Sequence, residues 1–414
     1  MPDRSMKVTS PVAAAPAAAH WPAGFRFAAG HCGIKAAAPD LLLVTMPHAA
    51  ACAAVFTTNQ LQAAPVRLSR AHLKANRGRV RALVVNSGNA NCSTGKAGER
   101  AARQVAVTTA KLLDCAPHEV LVASTGVIGV PLDAGRITAA LPAWTARHDT
   151  PEDAARAILT TDTRMKMASR CWTETGAGRQ PGREFCVAGF AKGSGMIHPR
   201  MATMLGFLFT DVPLSPARLQ ACLRVAVEQS FHRITVDGDT STNDMVSLIA
   251  LPGAPRPALR PSGVARFQQA LNEVAAELAR QIVRDGEGAK RFVTVRVAGA
   301  RNAADADRAA RAIANSPLVK TAIAGADPNW GRVLAAAGYS GARFDPDRVE
   351  IWFAGLPVFR RGLALPFDEQ LAKQRLDQPE VEIRLDLHAG VAATWMWTCD
   401  LTEGYIKING SYRT

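Results

Sequence analysis

Two kinds of apolar periodicity alternate along this chain, and each demands its own secondary structure. Val80 to Val85 is a β-branched run ending in the turn-forming Asn86-Ser87-Gly88-Asn89, and Glu119 to Ala123 is another ending at Ser124-Thr125-Gly126. Between them, Glu99 to Leu113 has helical periodicity and no breaker. Thr150-Pro151-Glu152-Asp153 starts a helix with an N-cap hydroxyl, Pro in the first turn and acids against the dipole, and Ser215-Pro216 opens another through about Gln229. Beyond a Pro-rich connector, Pro252 to Pro261, the residues Val264, Phe267, Leu271, Val274, Leu278 and Ile282 mark one face of a long helix ending near Asp285-Gly286. Phe292 to Val297 and Val381 to Leu387 then alternate like half-buried strands. A chain that interleaves the two periods must stack helices on sheets, so the fold class is α/β, with a smaller α/β lobe in the C-terminal third. Its 414 residues suit two or three lobes.

Composition closes off several other classes. With 48% hydrophobic and 20% charged residues the chain lies outside the disordered range. The formal net charge of +14 raises nucleic acid as a partner, but 38 of the 49 cations are Arg spread over the whole length. The densest stretch, Arg77-Gly78-Arg79-Val80-Arg81, runs straight into apolar Leu83-Val84-Val85, and aromatics are only 6%, so we expect a dispersed basic surface and no nucleic-acid partner. The longest apolar run, Leu41 to Phe56, is interrupted by Pro47-His48 and falls short of the ~20 residues of a membrane span, so no membrane partner is expected. Ala-rich Val8 to Ala19 is broken by Pro11 and Pro16 and reads as a loose extension, not a signal peptide. The eight Cys form no C-x-x-C and have no His at zinc spacing; several, such as Cys52 and Cys222, sit in apolar stretches as reduced thiols do. No metal and a cytoplasmic location are the expectations.

The window Gly189-Phe-Ala-Lys192-Gly193-Ser194-Gly195-Met-Ile-His198-Pro-Arg-Met-Ala202-Thr203-Met-Leu205 is the most informative. A Thr hydroxyl facing its own preceding carbonyl can undergo an N-to-O acyl shift, and hydrolysis then frees it as an N-terminal residue. That residue holds nucleophile and base together, because its α-amine, with an ordinary pKa of roughly 7.7–8.0, can take the hydroxyl proton. The Ala-Thr pair alone equally suits a strand Thr after a turn. Asp237-Gly238-Asp239 with Asn243-Asp244 resembles a hard-cation cluster, yet it lacks the EF-hand Glu, and buried hydrogen bonding accounts for it better. His198 is redundant as a base beside such an amine and is read as structural.

These windows resemble the ornithine acetyltransferase, or bifunctional glutamate N-acetyltransferase (ArgJ), family. The resemblance runs through Phe56-Thr57-Thr58-Asn59, Asn86-Ser87-Gly88-Asn89-Ala90-Asn91, Ala123-Ser124-Thr125-Gly126-Val127-Ile128-Gly129, Thr160-Thr161-Asp162-Thr163, Arg233 to Asp244, Asp285-Gly286-Glu287-Gly288, Asn315 to Thr321, Asp327 to Arg332 and Lys407 to Thr414. It implies a self-cleaving, N-terminal-nucleophile-type αββα-like sandwich. The implied cut at Ala202-Thr203 gives segments 1–202 and 203–414, the second including an α/β lobe at about 288–400, assembled as α2β2. Thr203 is the implied nucleophile, Thr125 with the Gly126 N–H the oxyanion hole, and Thr161, Lys192, Thr203, Glu287, Asn409 and Thr414 the substrate contacts. The implied reaction is ping-pong acetyl transfer from N2-acetyl-L-ornithine to L-glutamate in arginine biosynthesis, with no cofactor and with acetyl-CoA as a possible second donor. A Thr-nucleophile acyltransferase or amidohydrolase acting on a different amide is the alternative.

Three places depart from the family pattern. The stretch Arg164 to Arg183 is long and irregular, Lys290 stands where Thr is usual, and Gly410-Ser411 replaces an Ala-acid pair. The last two leave acceptor choice less defined than the nucleophile.

Overall fold

The apolar run Leu41–Phe56 folds as one 16-residue strand around which the N-terminal architecture is arranged. A computed structural model describes residues 20–174, 182–198, 204–252 and 259–410. In chain order, the first eight strands are β1 (Arg26–Gly30), β2 (Leu41–Phe56), β3 (Arg79–Asn89), β4 (Val120–Val127), β5 (Lys166–Glu174), β6 (Arg183–Lys192), β7 (Leu205–Thr210) and β8 (Met245–Ala250). They form one sheet in the order β4-β3-β2-β8-β7-β6-β5. One edge of β2 pairs with β3; its other edge pairs first with β1, from Leu41↔Gly30 to Thr45↔Arg26, and then with β8, from Ala51↔Ala250 to Phe56↔Met245. The change of partner falls at Pro47, which has no N–H for a ladder, and the β2–β3 register shifts there between Thr45 and Ala50.

The alternation in β2 sorts its side chains between two environments. Leu41 and Leu43, with Ala82, Val84, Val120 and Val122, pack under helices α1 (Ala64–Ala75), α2 (Gly95–Leu112) and α3 (Ala134–Trp144). Ala51 and Ala53, with Leu208, Val246 and Leu248, pack under α5 (Pro216–Glu228) and α6 (Pro261–Arg284), while the short α4 (Pro151–Ala157) lies elsewhere. The opposite face of the sheet, with Leu42, Val44, Leu83 and Leu121 at one end and Phe190, Phe207, Phe209 and Ile249 at the other, forms a single interior together with β1 and α4. Phe27 of β1 packs into the second of these ends, its ring 5.6 Å from Phe209 and 6.2 Å from Phe190. The order of layers is thus helix, sheet, sheet, helix, both β layers belonging to one sheet turned at β2.

The long helix keeps its expected face. Phe267, Leu271, Val274, Leu278 and Ile282 of α6 are fully buried, and at about 1.5–3 kcal/mol per large side chain this outweighs the ~1 kcal/mol forgone because Arg260 provides no side-chain cap. Thr150 and Ser215 do cap α4 and α5, accepting from the N–H groups of Asp153 and Arg218.

A second, six-stranded sheet follows, made of β9 (Phe292–Ala300), β10 (Glu350–Phe353), β11 (Leu356–Arg360), β12 (Leu363–Ala364), β13 (Glu380–Asp386) and β14 (Ala392–Cys399), in the order β12-β11-β10-β13-β9-β14. Helices α7 (Ala303–Asn315), α8 (Pro317–Ala324), α9 (Trp330–Gly338) and α10 (Glu369–Leu376) build its core, and α11 (Glu403–Gly410) hydrogen-bonds Asp237 and Glu287. The two expected strands in this region are the parallel neighbours β9 and β13. No helix among the described residues is long and apolar enough to cross a membrane.

Three local expectations are corrected. Asn86–Asn89 and Ser124–Gly126 are not turns: β3 and β4 continue through them in parallel register, because their side chains hydrogen-bond laterally instead of closing a loop. Residues 164–183 are not irregular where described; β5 and β6 form an antiparallel edge arm, residues 175–181 lying outside the described residues. Cys52 and Cys222 are free buried thiols as expected, but Cys171 and Cys186, opposite one another in this arm, are joined as a disulfide.

Candidate active site

The paired ends of β3 and β4 form the floor of the site. Their register sets Ser87 beside Thr125 and Gly88 beside Gly126. Gly126 has φ +129°, and a Cβ on it would lie 2.3 Å from the Gly88 carbonyl carbon, so the two backbones approach more closely than any side chain permits. Side-chain amides hold this approach: Asn86 Nδ2 donates to Asn89 O (2.8 Å), Ser124 Oγ to Asn86 Oδ1 (2.6 Å), and Asn243 Nδ2 to both Ser124 O (2.9 Å) and Ala90 O (2.7 Å). Thr125 is thereby fixed and buried. Gly126→Ala is expected to cost about 2 kcal/mol or more from the disfavoured φ alone, visible as a lower urea midpoint; an unchanged midpoint would contradict the close approach.

Lys192, the last residue of β6, points its buried ammonium at this floor. Its Nζ donates to Thr160 Oγ1 (2.6 Å) and Thr125 Oγ1 (3.3 Å) and lies 3.8 Å from Asp162 Oδ2. Asp162 Oδ1 also accepts from Lys166 Nζ (2.6 Å) and the Gly193 N–H (2.6 Å), while Lys166 makes a second ion pair with Asp285 Oδ2 (2.6 Å). Two lysines and two aspartates therefore neutralise one another out of water, the arrangement buried charges require. Burial pushes the Asp162 carboxyl upward, but Lys192, Lys166 and these hydrogen bonds win and hold it well below the usual carboxylate range. For Lys192 burial wins over Asp162, and its ammonium lies below the usual lysine range. Lys35, donating to Leu159 O (2.6 Å) and Pro39 O (2.9 Å), is pushed down to about 8, first by burial and also by Lys192, against Asp40.

The Gly193-Ser194-Gly195 turn carries the site from Lys192 to the next acid. Ser194 Oγ and Thr161 Oγ1 share a hydrogen bond (2.8 Å), and Ser194 O accepts the Glu287 N–H (3.0 Å). The Glu287 carboxylate lies directly on Gly195, where a Cβ would meet Oε2 at 2.3 Å, and Asn409 Nδ2 of α11 donates to that same oxygen (2.7 Å). Alongside, Asp237 accepts the N–H groups of Met196 (2.5 Å) and Ile197 (2.8 Å) and the Tyr405 hydroxyl (3.2 Å), so this acid is spent on hydrogen bonds. His198 lines a cleft of about 420 Å³ with Thr58, Thr240, Arg311 and Asn315.

Of the residues singled out from the sequence, Thr125, Gly126, Thr161, Lys192, Glu287 and Asn409 thus lie along one continuous path. Ala202, Thr203 and Thr414 lie outside the described residues. The covalent neighbour of Thr203 is described: Met204 donates its N–H to Asp244 Oδ1 (2.9 Å) and leads into Leu205, the strand partner of Lys192.

Comparison with known proteins shows the family of the whole chain. The profile of the ArgJ family matches residues 26–414. The chain belongs to the ArgJ family. It is 48% identical to the arginine biosynthesis bifunctional protein ArgJ of Chlorobaculum tepidum, over 98% of this chain and 100% of that one. It is also 48% identical to the protein of the same description from Thermus thermophilus, over 95% and 99%. Among solved structures, the ornithine acetyltransferase from Mycobacterium tuberculosis complexed with ornithine is 34% identical and is matched over 43% of this chain and 92% of that one, with a TM-score of 0.36.

Sequence reasoning left several members of this ArgJ-family site without a role. Thr160, Asp162 and Asp285 stood inside quoted motifs, and Lys166 and Lys35 outside them. The only signal for the charged pairs was the four-residue spacing of Asp162 and Lys166; the Lys166–Asp285 pair spans 119 residues and has no local signature.

Proposed function

We propose that this ArgJ-family acyltransferase transfers acetyl from N2-acetyl-L-ornithine to L-glutamate through an acetyl-Thr203 ester, after its own cleavage of the Ala202–Thr203 bond. The observation that carries this reading is the Lys192 Nζ to Thr125 Oγ1 contact. An ammonium can only donate, so the Thr125 oxygen accepts from it, and its own hydroxyl proton is left to point toward a developing oxyanion. The Thr203 hydroxyl attacks the acetyl carbonyl while its α-amine takes the proton, and the tetrahedral oxyanion rests on Thr125 O–H and the Gly126 N–H. Collapse breaks the amide C–N bond and returns the proton to ornithine. Glutamate then attacks the ester by the same steps in reverse.

Lys192 and Thr161 suit the substrate carboxylate, and Glu287, steadied by Asn409, suits the ornithine ammonium; Thr414 completes the contacts. Hydroxyl, amine and fixed donors suffice for the chemistry, so no cofactor is needed, and acetyl-CoA would enter only as a second donor. The processed segments would assemble as α2β2 in the cytoplasm. Incubation with acetylornithine and labelled glutamate tests the reading. Labelled N-acetylglutamate supports it; release of acetate without transfer refutes it in favour of a hydrolase. Lys192→Ala is expected to raise KM for acetylornithine about tenfold or more, the usual cost of deleting a charged hydrogen-bond partner.

A further inference from the structure

The loop between β1 and β2 reaches both halves of the site through one side chain. Asp40 is fully buried, and its carboxylate collects the N–H groups of four consecutive residues, Cys32 (2.6 Å), Gly33 (3.1 Å), Ile34 (2.7 Å) and Lys35 (2.9 Å), which fixes the backbone of the loop. The Asp40 carbonyl accepts the Ser87 N–H (2.9 Å), joining the loop to the strand end that pairs with Thr125 and Gly126. The stem of Lys35 lies on Gly88, where a Cβ would meet its Cγ at 2.9 Å. Its ammonium donates to Leu159 O (2.6 Å) and Pro39 O (2.9 Å). Leu159 immediately precedes Thr160, Thr161 and Asp162, the segment that also holds the Lys192 ammonium. A second tie accompanies the first, from Ser87 Oγ to Ala157 O (2.6 Å). Both acceptors of the Lys35 ammonium among the described residues are backbone carbonyls, so its hydrogen bonds hold main chain in place.

We propose that Lys35 is a positioning residue for acetyl transfer, setting the separation between the Thr125–Gly126 floor and the Thr160–Asp162 segment and thereby the alignment of the two ends of the substrate. The inference rests on the reading of Thr125 with Gly126 as oxyanion hole and of Thr161 and Lys192 as carboxylate contacts. In N2-acetylornithine only N2 and Cα lie between the acetyl carbonyl carbon and the carboxylate carbon. A substrate anchored at one end therefore has no slack with which to follow a displaced anchor at the other, and a misplacement of about 1 Å can cost about 10²-fold in rate. This role differs from that of a cation that binds substrate directly. Without Lys35 the carboxylate still meets Lys192 and Thr161, while the acetyl carbonyl no longer meets its donors squarely.

The test uses two acetyl donors, N2-acetylornithine and its α-carboxamide, which carries the same acetyl group without the carboxylate. Pre-steady-state release of ornithine or ornithinamide reads the acylation half-reaction alone, in the wild type and in Lys35→Met, which keeps the stem on Gly88 and removes the donors. With acetylornithine the maximal acylation rate of Lys35→Met should fall at least about tenfold while the half-saturating concentration stays within about threefold. With the carboxamide the fall should be smaller, so that the wild-type preference for the carboxylate donor shrinks at least about fivefold. An unchanged rate with acetylornithine overturns the proposal. A raised half-saturating concentration at unchanged rate also overturns it, making Lys35 a direct substrate cation, and equal falls with both donors reduce Lys35 to a prop of the floor. A wild type that shows no preference for the carboxylate donor refutes the underlying reading of the carboxylate contacts, and the proposal with it. Should Lys35→Met not fold, Lys35→Gln, whose donor ends one atom short, is read by the same criteria.

Discussion

Thr203→Ala should yield one uncut chain of 43.9 kDa and lose at least about 10³-fold in acetyl transfer, the scale of removing a nucleophile that acts as a unit with its base. Both losses share a cause in the proposed mechanism, where a single hydroxyl performs the acyl shift in the precursor and the attack in the processed enzyme. Thr203→Ser keeps the oxygen and should therefore be cut and retain measurable turnover. Denaturing mass spectrometry reads the first effect and single-turnover transfer to glutamate the second. A Thr203→Ala chain that still splits before residue 203, or an uncut one that transfers acetyl at the wild-type rate, would remove Thr203 from the mechanism.

The largest stability effect is expected at Asp162. Asp162→Asn removes the carboxylate shared by Lys192 and Lys166, both within 4 Å of it, and leaves two buried ammonium groups with Asp285 as the remaining ion-pair partner among the described residues. Breaking one side of such a buried network costs about 3–5 kcal/mol. The pH dependence has a definite sign. Asp162 is held below its unfolded value of about 3.9, so its contribution is complete above that pH and is lost as pH falls toward the folded value. Wild type and variant should differ by a constant amount in denaturant titrations between pH 5 and 8, and the gap should close in stronger acid. A gap below about 1 kcal/mol at pH 7 would mean that Lys192, whose ammonium burial already disfavours, sheds its proton instead.

Reading the sequence succeeded where the cause was local. The long apolar face of α6 and the caps of α4 and α5 are statements about residues three and four positions apart, and all were found as expected. It went astray at Asn86–Asn89 and Ser124–Gly126, whose turn-like composition serves two strands brought side by side from 38 residues apart. Nothing in either segment announces the other. The Cys171–Cys186 bond was likewise hidden, since it depends on the register of β5 with β6. Thr125, Lys192, Glu287 and Asn409 were identified through family resemblance and not through spacing; their coupling through Ser194 and the Asp162–Lys166–Asp285 charges became visible only in three dimensions.

The position of β7 and β8 decides what a cut at Ala202–Thr203 can do to the molecule. Both strands come from the 203–414 segment, yet they lie inside the sheet, hydrogen-bonded on one side to β2 and on the other to β6, both from 1–202. The segments 1–202 and 203–414 are interleaved, so the proposed scission could not release either one without tearing six-residue ladders on both flanks. Under the proposed cleavage the chain would have to fold while still in one piece, and refolding after scission would be of a different kinetic order, because two separate polypeptides would have to find each other before β7 and β8 could slot back. Heat or denaturant should therefore inactivate the mature enzyme in a way that dilution makes permanent, whereas the uncut Thr203→Ala precursor recovers at a rate independent of its concentration.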